Sequence, residues 1–227
     1  AGYPHKDDFL SLVQALADCA DVIEIGVPFS DPMADGVTIQ RSSHLAIENG
    51  VRLRWILNQL KTISINTPII LMSYLNPLYV YGYTQLAQDS KDAGVDGFIV
   101  PDLPIEEGEE LREILKLAGL GMIQLVTPAT PEDRIKKIAA KSSGFLYAVT
   151  VKGVTGGNDG LPKEVTGYLE TVKALTTIPV CAGFGVRSSS DVALLEPLVD
   201  GVIVGSALVE AIEDQASPID FLNSLRF

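Results

Sequence analysis

Short, nearly continuous apolar runs alternate with amphipathic segments along the whole chain. Seven of these runs are rich in β-branched residues and predict strands, at positions 22–25, 69–72, 97–100, 122–126, 145–149, 180–182 and 201–204. Runs of this kind are typical of strands that are buried on both faces of a parallel sheet. Apolar positions at helical spacing predict the helices, over 7–17, 38–49, 53–65, 84–93, 105–117, 131–140, 163–175, 189–195, 206–212 and 218–225.

Strands and helices that alternate at this spacing are typical of βαβ units. No linker or low-complexity segment interrupts the sequence pattern, so we expect one domain over residues 1–227. Two α/β architectures fit the pattern, an open doubly wound sheet and a closed (β/α)8 TIM barrel. The turn at 25–28 (IGVP) lacks the glycine fingerprint of a dinucleotide-binding fold. The short strands and the regular repeat therefore favour the barrel.

The number of predicted strands is one short of a full barrel. Seven strands of a barrel built for eight leave two unpaired edges, which a closed sheet avoids. The chain also begins with a turn-like segment, 1–4 (AGYP), of the kind that follows a strand. We therefore expect that the first strand and the helix before it are missing from this sequence.

The chain is strongly acidic. Its 227 residues include 17 Lys and Arg against 29 Asp and Glu, a formal net charge of −12 at pH 7. Nucleic-acid phosphates and anionic lipid surfaces both bind basic faces, so this charge balance argues against both kinds of partner. With 47% hydrophobic and 20% charged residues, the composition is that of a folded globular protein.

The cysteines and the apolar runs bear on cellular location. Cys19 and Cys181 both lie in apolar stretches, which predicts two buried, reduced thiols and no disulfide framework. None of the apolar runs approaches the ~18 residues of a membrane span, and the first residues do not form a secretory signal. We therefore expect a cytoplasmic protein, or a chloroplast protein if the source is a plant.

Glu24 is an unusual residue for its place, because it stands between two isoleucines of the first predicted strand. A carboxylate buried there costs several kcal/mol unless it is paired or protonated. In barrels, side chains at strand ends that point into the mouth carry the catalytic groups. Burial raises a carboxyl pKa towards the working pH, as a general acid or base requires. We therefore predict a functional role for Glu24; the alternative is a core carboxylate tied to a lysine or to backbone.

The loop after this strand, 28–36 (PFSDPMADG), carries two aspartates. Its prolines and glycine are ordinary turn residues, and Asp35 also stands where it can help cap the next helix. Because barrel loops at this face carry function, we expect Asp31 or Asp35 to contact a substrate. The pattern leaves open which of the two does so, and whether both are only turn formers.

Two glycine turns close the last strands, at 183–185 (GFG) and 205–206 (GS). In barrels, the loops after the last two strands and a short extra helix commonly form a phosphate site. Backbone N–H groups and the helix dipole attract the anion without a basic side chain, so an acidic protein can still bind a phosphate ester. The alternative is that both segments are tight turns.

Other candidate groups lie on or near the fifth predicted strand. Tyr147 occupies an alternate position of this strand, where a core tyrosine is the ordinary interpretation. The glycine-dense segment 153–160 has the composition of a lid that closes over substrate. Lys152 beside it is either an exposed loop lysine or, with a lowered pKa, a Schiff-base lysine. His5 and His44 are far apart and match no metal-ligand spacing, so we expect no metal site.

The segment 24–36 (EIGVPFSDPMADG) resembles the signature of the tryptophan synthase alpha subunit family. The resemblance continues in family order at 101–104 (PDLP), 153–156 (GVTG), 183–185 (GFG) and 205–206 (GS), and it spans essentially the whole chain. The family has a (β/α)8 barrel fold, so the resemblance implies the architecture that the pattern also favours. It implies retro-aldol cleavage of indole-3-glycerol phosphate to indole and glyceraldehyde 3-phosphate, in tryptophan biosynthesis.

The resemblance also implies roles for particular residues. Glu24 takes the position of the catalytic general acid and base, and Asp35 that of the carboxylate that holds the indole N–H. Tyr147 matches a tyrosine that lines the same pocket. The phosphate-binding set is matched by Gly156, Phe184, Gly185, Gly205 and Ser206. The resemblance implies that this chain needs no cofactor, and that its partner is the tryptophan synthase beta subunit, which carries PLP, in an alpha2beta2 complex.

Other functions fit the same sequence. A stand-alone indole-3-glycerol phosphate lyase is not separable by sequence from a subunit that depends on a partner. A barrel that acts mainly as a regulatory partner is a further alternative, and the presence of both Glu24 and Asp35 argues against it. An aldolase that forms a Schiff base on Lys152 is the weakest of the alternatives.

Overall fold

The computed structural model describes residues 1–150, 161–183 and 185–226. The chain divides into two compact units, Ala1–Met122 and Ile123–Phe227. Seven strands and eleven α-helices lie in the part of the chain that the structure describes. None of the helices described there combines the length and apolar character that crossing a membrane requires. The expectation of one domain stays a prediction.

The first unit alternates short strands with helices, as the hydrophobic pattern predicts. Its strands are β1 (Ile23–Gly26), β2 (Ile69–Met72) and β3 (Gly97–Ile99). Its helices are a 3₁₀ turn (Lys6–Asp8), α1 (Phe9–Ala17), α2 (Val37–Glu48), α3 (Leu53–Leu60), α4 (Leu75–Tyr81), α5 (Tyr83–Asp92) and α6 (Glu109–Leu117). Helix α4 has no counterpart among the predicted elements, and α6 begins four residues later than the sequence pattern predicts.

The strands of the first unit are parallel. β1 pairs with β2 in a register that places Ile23 opposite Ile69, and β2 pairs with β3. The first three residues of β2 are buried, as in a parallel strand covered on both faces. β1 differs, because Ile23 and Ile25 are buried while Glu24 between them is accessible. Successive side chains of a strand point to opposite faces, so Glu24 lies on the other side of the strand from the isoleucines.

Helix α3 shows how the helices of this unit bury one face. Leu53, Ile56, Leu57 and Leu60 are all buried. Their spacing of three and four residues places them on one stripe of the helix. The polar residues between them remain on the opposite side. The spacing of the apolar residues therefore gives this helix one continuous buried face.

The second unit continues the alternation. β4 (Gly121–Val126) begins with the last residues of the first unit, and the further strands are β5 (Leu146–Val149), β6 (Val180–Gly183) and β7 (Gly201–Ile203). Its helices are α7 (Glu132–Lys141), α8 (Lys163–Leu175), α9 (Ser189–Leu195), α10 (Ser206–Glu213) and α11 (Pro218–Leu225). β4 to β7 pair in parallel and in chain order. All seven predicted strands are therefore confirmed, with bounds that differ by at most one residue at either end.

Neither cysteine is in a disulfide. Cys19 is buried, as predicted. Cys181 is only partly buried, which corrects the expectation of two buried thiols. It lies on β6 opposite Gly201 of β7, where a β-carbon on the glycine would come within 2.9 Å of the Cys181 sulfur. Desolvation raises the pKa of the Cys181 thiol to about 11, so this thiol stays protonated at neutral pH.

An aspartate just before β3 and another just before β7 join neighbouring strands at their amino ends. The N–H of Asp96 donates to the carbonyl of Ile69 at 2.8 Å, and the Asp96 carboxylate accepts the Ile69 N–H at 2.8 Å. Asp200 makes the same two bonds with Val180, each of 2.8 Å. Each aspartate therefore holds the register of two parallel strands within its own unit.

Replacing Asp96 by alanine is expected to lower the free energy of unfolding by about 1–2 kcal/mol, because the N–H of buried Ile69 loses its charged acceptor. Urea denaturation followed by circular dichroism measures this change. Asp92→Ala is the matched control, since Asp92 is an exposed residue of α5 that accepts a surface hydrogen bond from Gln88. Equal losses in the two variants would contradict the role of Asp96 in strand register.

Candidate active site

The carboxyl end of β1 and the loop behind it carry the candidate acids of the first unit. Glu24 lies in β1, and the chain then passes through residues 27–36 to α2. The loop is anchored to α2 at Phe29, whose N–H donates to the Ser43 hydroxyl at 2.8 Å and whose carbonyl accepts from it at 3.1 Å. These two hydrogen bonds attach the loop to the helix that follows it.

Asp35 is held by a tyrosine that the sequence analysis did not identify. The Tyr74 hydroxyl donates to Oδ2 of Asp35 at 2.9 Å and accepts the N–H of Ala34 at 2.9 Å. Tyr74 is 4% exposed, and its ring stacks on Phe29 with centroids 5.2 Å apart. The carboxylate of Asp35 is thereby oriented by a buried ring. The N-cap residue of α2 is Gly36 and not Asp35, and capping of this helix by Asp35 stays a prediction.

The pKa of the Glu24 carboxyl group lies near neutral pH. Desolvation by the surrounding protein, with a smaller contribution from the negative charge of Asp35, raises its pKa to about 7. Its side chain nevertheless remains accessible. An accessible side chain can still be desolvated, because the protein atoms around its carboxyl group displace part of the water that would solvate the charge. Near pH 7 the group is therefore present in both protonation states and can donate or accept a proton.

The two aspartates of the loop have different surroundings. Desolvation raises the pKa of Asp35 above its ordinary value, and the hydrogen bond from Tyr74 opposes this shift. Asp31 is exposed and accepts a 2.5 Å hydrogen bond from the neighbouring Ser30 hydroxyl. The geometry therefore favours Asp35 over Asp31 as the functional carboxylate that the sequence pattern left unassigned.

Glu24 is expected to make folding stability depend on pH. Between the ordinary carboxyl value of 4.5 and about 7, the folded chain keeps a proton that the unfolded chain has released. The contribution of Glu24 to stability therefore falls as pH rises through this window and is constant above it. The melting temperature of Glu24→Gln, measured relative to that of the unmodified chain, is therefore expected to rise as the pH increases from about 5 to about 8.

Melting curves of both proteins across this range test the prediction. Glu170→Gln, at an exposed position of α8, is the control for loss of one surface carboxylate. A difference in melting temperature that is constant, or that shrinks as pH rises, would contradict the raised pKa of Glu24.

In the second unit, Tyr147 is buried against a glycine. Tyr147 is 6% exposed, and a β-carbon on Gly183 would lie 2.5 Å from its hydroxyl oxygen. The Gly183 carbonyl accepts the N–H of Thr150 at 3.0 Å and the Thr150 hydroxyl at 3.1 Å. Glycine is therefore required at the end of β6 so that the tyrosine ring can pack there.

The glycines predicted to bind phosphate lie at two places in the second unit. Gly185 follows β6 with φ of +88°, a conformation that glycine adopts without strain. Gly205 is the N-cap residue of α10, and Ser206 is the first residue of that helix. A β-carbon on either glycine would meet no atom of the described residues within 4 Å, so these residues leave the backbone open to approach there. Gly156, Phe184 and Lys152 lie outside the described residues.

The described residues contain no group of three or more His, Cys, Asp and Glu side chains that could hold a metal ion. The candidate chemical groups described above are carboxyl groups and backbone N–H donors. In the first unit, Glu24 can transfer protons and Asp35 can accept a hydrogen bond from a developing cation. In the second, the start of α10 can bind an anion.

The sequence is similar to one family over nearly its whole length. The profile of that family, described as "Tryptophan synthase alpha chain", matches residues 1–223. A tryptophan synthase alpha chain from Roseiflexus sp. (strain RS-1) is 44% identical over 236 residues, covering 99% of this chain and 90% of the relative.

Solved structures agree with this similarity. The tryptophan synthase alpha subunit from Legionella pneumophila str. Paris has a TM-score of 0.88 at 35% identity, covering 100% of this chain and 88% of that one. A chain from a structure of the tryptophan synthase α2β2 complex of Pyrococcus furiosus has a TM-score of 0.89 at 38% identity, covering 99% and 94%. These matches confirm the predicted α/β barrel fold class.

Proposed function

Because the chain belongs to the tryptophan synthase alpha chain family, we propose that it cleaves indole-3-glycerol phosphate to indole and glyceraldehyde 3-phosphate. One observation carries the chemistry. Glu24 is an accessible carboxyl with a pKa of about 7, and Asp35 is close enough for its charge to contribute to that value. A single group that donates and accepts protons at neutral pH is what a retro-aldol cleavage without a cofactor needs.

Glu24 acts first as an acid and then as a base. Its proton adds to C3 of the indole ring, which places a positive charge on the ring nitrogen. Glu24 then removes the proton from the side-chain hydroxyl next to the bond that breaks. The oxygen electrons form the aldehyde carbonyl, and the electrons of the broken carbon–carbon bond neutralise the ring. Glu24 recovers its proton, and the products are indole and the aldehyde.

Asp35 stabilises the charge that develops on the ring. Its carboxylate accepts a hydrogen bond from the indole N–H, and this bond strengthens as the ring becomes cationic. Tyr74 supports this role, because its 2.9 Å hydrogen bond orients the carboxylate before the substrate binds. An oriented acceptor needs little rearrangement when the charge appears.

The phosphate group is assigned to the second unit. Gly185, Gly205 and Ser206 are the described members of this set, and Gly156 and Phe184 belong to it by family resemblance. The backbone at the start of α10 supports the assignment, since the first N–H groups of a helix lack partners within the helix and carry a partial positive charge. Tyr147 is assigned to the substrate site on the same resemblance.

We propose that the chain works with a tryptophan synthase beta subunit, as in the Pyrococcus furiosus complex. The names of its relatives mention no cofactor, and we assign PLP to the beta subunit alone. We propose that the chain acts in the cytoplasm, or in the chloroplast if the source is a plant.

Release of indole from indole-3-glycerol phosphate, without added PLP or metal, tests the proposal. Slow release by the chain alone that rises when a beta subunit is added supports a partner-dependent alpha subunit. Fast release by the chain alone supports a stand-alone lyase. No release in either condition overturns the proposed reaction. A covalent adduct trapped by borohydride would instead support a Schiff base on a lysine such as Lys152.

A further inference from the structure

Arg187, in the segment before α9, forms a bidentate ion pair with a helix of the second unit. Its Nη1 lies 2.6 Å from Oε2 of Glu210, and its Nη2 lies 3.2 Å from Oε1 of the same residue. This parallel geometry is the strong, directional form of an arginine–carboxylate pair. Glu210 belongs to α10, whereas Arg187 lies before α9. The pair, whose side chains are 52% and 30% exposed, therefore links α10 to the segment that precedes α9.

The backbone of Arg187 is itself held rigidly. Its N–H donates to Oδ2 of Asp191 at 2.9 Å, and the same oxygen accepts the N–H and the hydroxyl of Ser188, each at 2.9 Å. Asp191 is 3% exposed and completes a capping box at the start of α9. A buried carboxylate with three donors is a firm anchor. The guanidinium of Arg187 therefore extends from a fixed point.

The two ends of this ion pair lie close in sequence to the proposed phosphate donors. Arg187 is two residues after Gly185, and Glu210 is four residues after Ser206. Residues four apart on a helix lie on the same face, about one turn from each other. The ion pair therefore joins the segment that carries Gly185 to the helix that begins with Ser206.

We infer that Arg187 and Glu210 are positioning residues that hold Gly185 and the start of α10 at the spacing that binds the substrate phosphate. This inference rests on the proposed function, and it adds residues that do not touch the substrate. Backbone donors bind an anion well only when they converge on it. The ion pair holds these backbone donors together. The guanidinium of Arg187 is paired with Glu210 and does not bind the phosphate itself.

Removal of Glu210 changes phosphate affinity in opposite directions under the two explanations, an electrostatic effect and a positioning role. A carboxylate one turn into α10 repels a phosphate at its amino end, and Arg187 neutralises that carboxylate. Removing Glu210 deletes a negative charge and frees a guanidinium, so electrostatics alone strengthens phosphate binding. If the pair positions the backbone donors, the same change weakens binding. The sign of the effect therefore separates a positioning role from a purely electrostatic effect of the pair.

Glu210→Ala is the decisive variant, because alanine favours the helix and leaves Arg187 in place. Its dissociation constant for inorganic phosphate, measured by ³¹P NMR titration, is expected to rise about threefold to tenfold, the scale of about 1 kcal/mol. The KM for indole-3-glycerol phosphate is expected to rise in step, and kcat to change by less than about twofold. The phosphate does not react, so its contacts contribute equally to substrate and transition state.

A charge swap and a control complete the experiment. The double variant R187E/E210R restores an ion pair between the same two positions, so it is expected to recover most of the affinity that R187E loses. Lys173→Ala is the matched control, since Lys173 forms an exposed ion pair with Asp200 in the same unit. It is expected to alter melting temperature without changing the phosphate affinity.

Tighter phosphate binding by Glu210→Ala overturns the inference and leaves the pair with only an electrostatic effect on phosphate. Unchanged binding, or a charge swap that recovers nothing, also overturns it. These results differ from failure of the proposed function. If the unmodified chain neither binds phosphate nor releases indole, with or without a beta subunit, the reaction assignment fails and the positioning role fails with it.

Discussion

Glu24→Gln is expected to lower kcat for indole release by about 10³-fold or more, at the upper range of a lost general acid–base group. Glutamine keeps the size and hydrogen-bonding reach of the side chain but can neither give nor take the proton. Both proton transfers in the cleavage pass through this one carboxyl, so a single substitution removes both. The effect is measured by steady-state indole release at saturating indole-3-glycerol phosphate.

Substrate binding separates loss of chemistry from loss of the site. The dissociation constant of glycerol 3-phosphate is expected to change by less than about twofold in Glu24→Gln, because its phosphate contacts do not involve Glu24. The exposed Glu170→Gln on α8 is expected to keep full activity. Turnover by Glu24→Gln comparable to that of the unmodified chain would remove Glu24 from the mechanism.

The fold was predictable where burial follows a simple period. The strands are short apolar runs, and a helix such as α3 repeats its buried residues every three or four positions. Helix α4 was not predicted because its sequence, LNPLYVY, combines an Asn-Pro pair with β-branched and aromatic residues. Pro77 lies in its first turn, where a proline does not break a helical hydrogen bond. Tertiary packing, including buried Leu78, decides that segment.

The candidate site was predictable only in part. Glu24 was identified because an acid between two isoleucines of a strand is locally costly. Tyr74 was missed, because its partner Asp35 lies 39 residues away in sequence. The only local signal was a polar Ser-Tyr pair just after a buried strand. Arg187 and Glu210 are 23 residues apart and raise the same difficulty. Sequence periods report burial, whereas pairs of distant side chains depend on the folded geometry.

Asp35→Asn is expected to lower kcat by at least about 10²-fold, the scale of one lost electrostatic partner. Asparagine still offers an oxygen to the indole N–H, but it carries no negative charge to stabilise the cationic ring. Tyr74→Phe is expected to cost less, about tenfold, because the carboxylate remains and only its orientation is lost. Asp31→Asn, in the same loop and exposed, is the matched control and is expected to keep nearly full activity.

A second readout ties Asp35 to Glu24. The negative charge of Asp35 contributes to the raised pKa of Glu24, so Asp35→Asn is expected to lower that pKa from about 7. Desolvation remains the larger cause, so the pKa stays above the ordinary value of 4.5. Carbon-13 NMR of the glutamate side chains, assigned with Glu24→Gln, follows this titration. A rate loss much smaller than predicted, with no change in the Glu24 titration, would make Asp35 a turn residue, since an aspartate that only shapes the loop affects neither quantity.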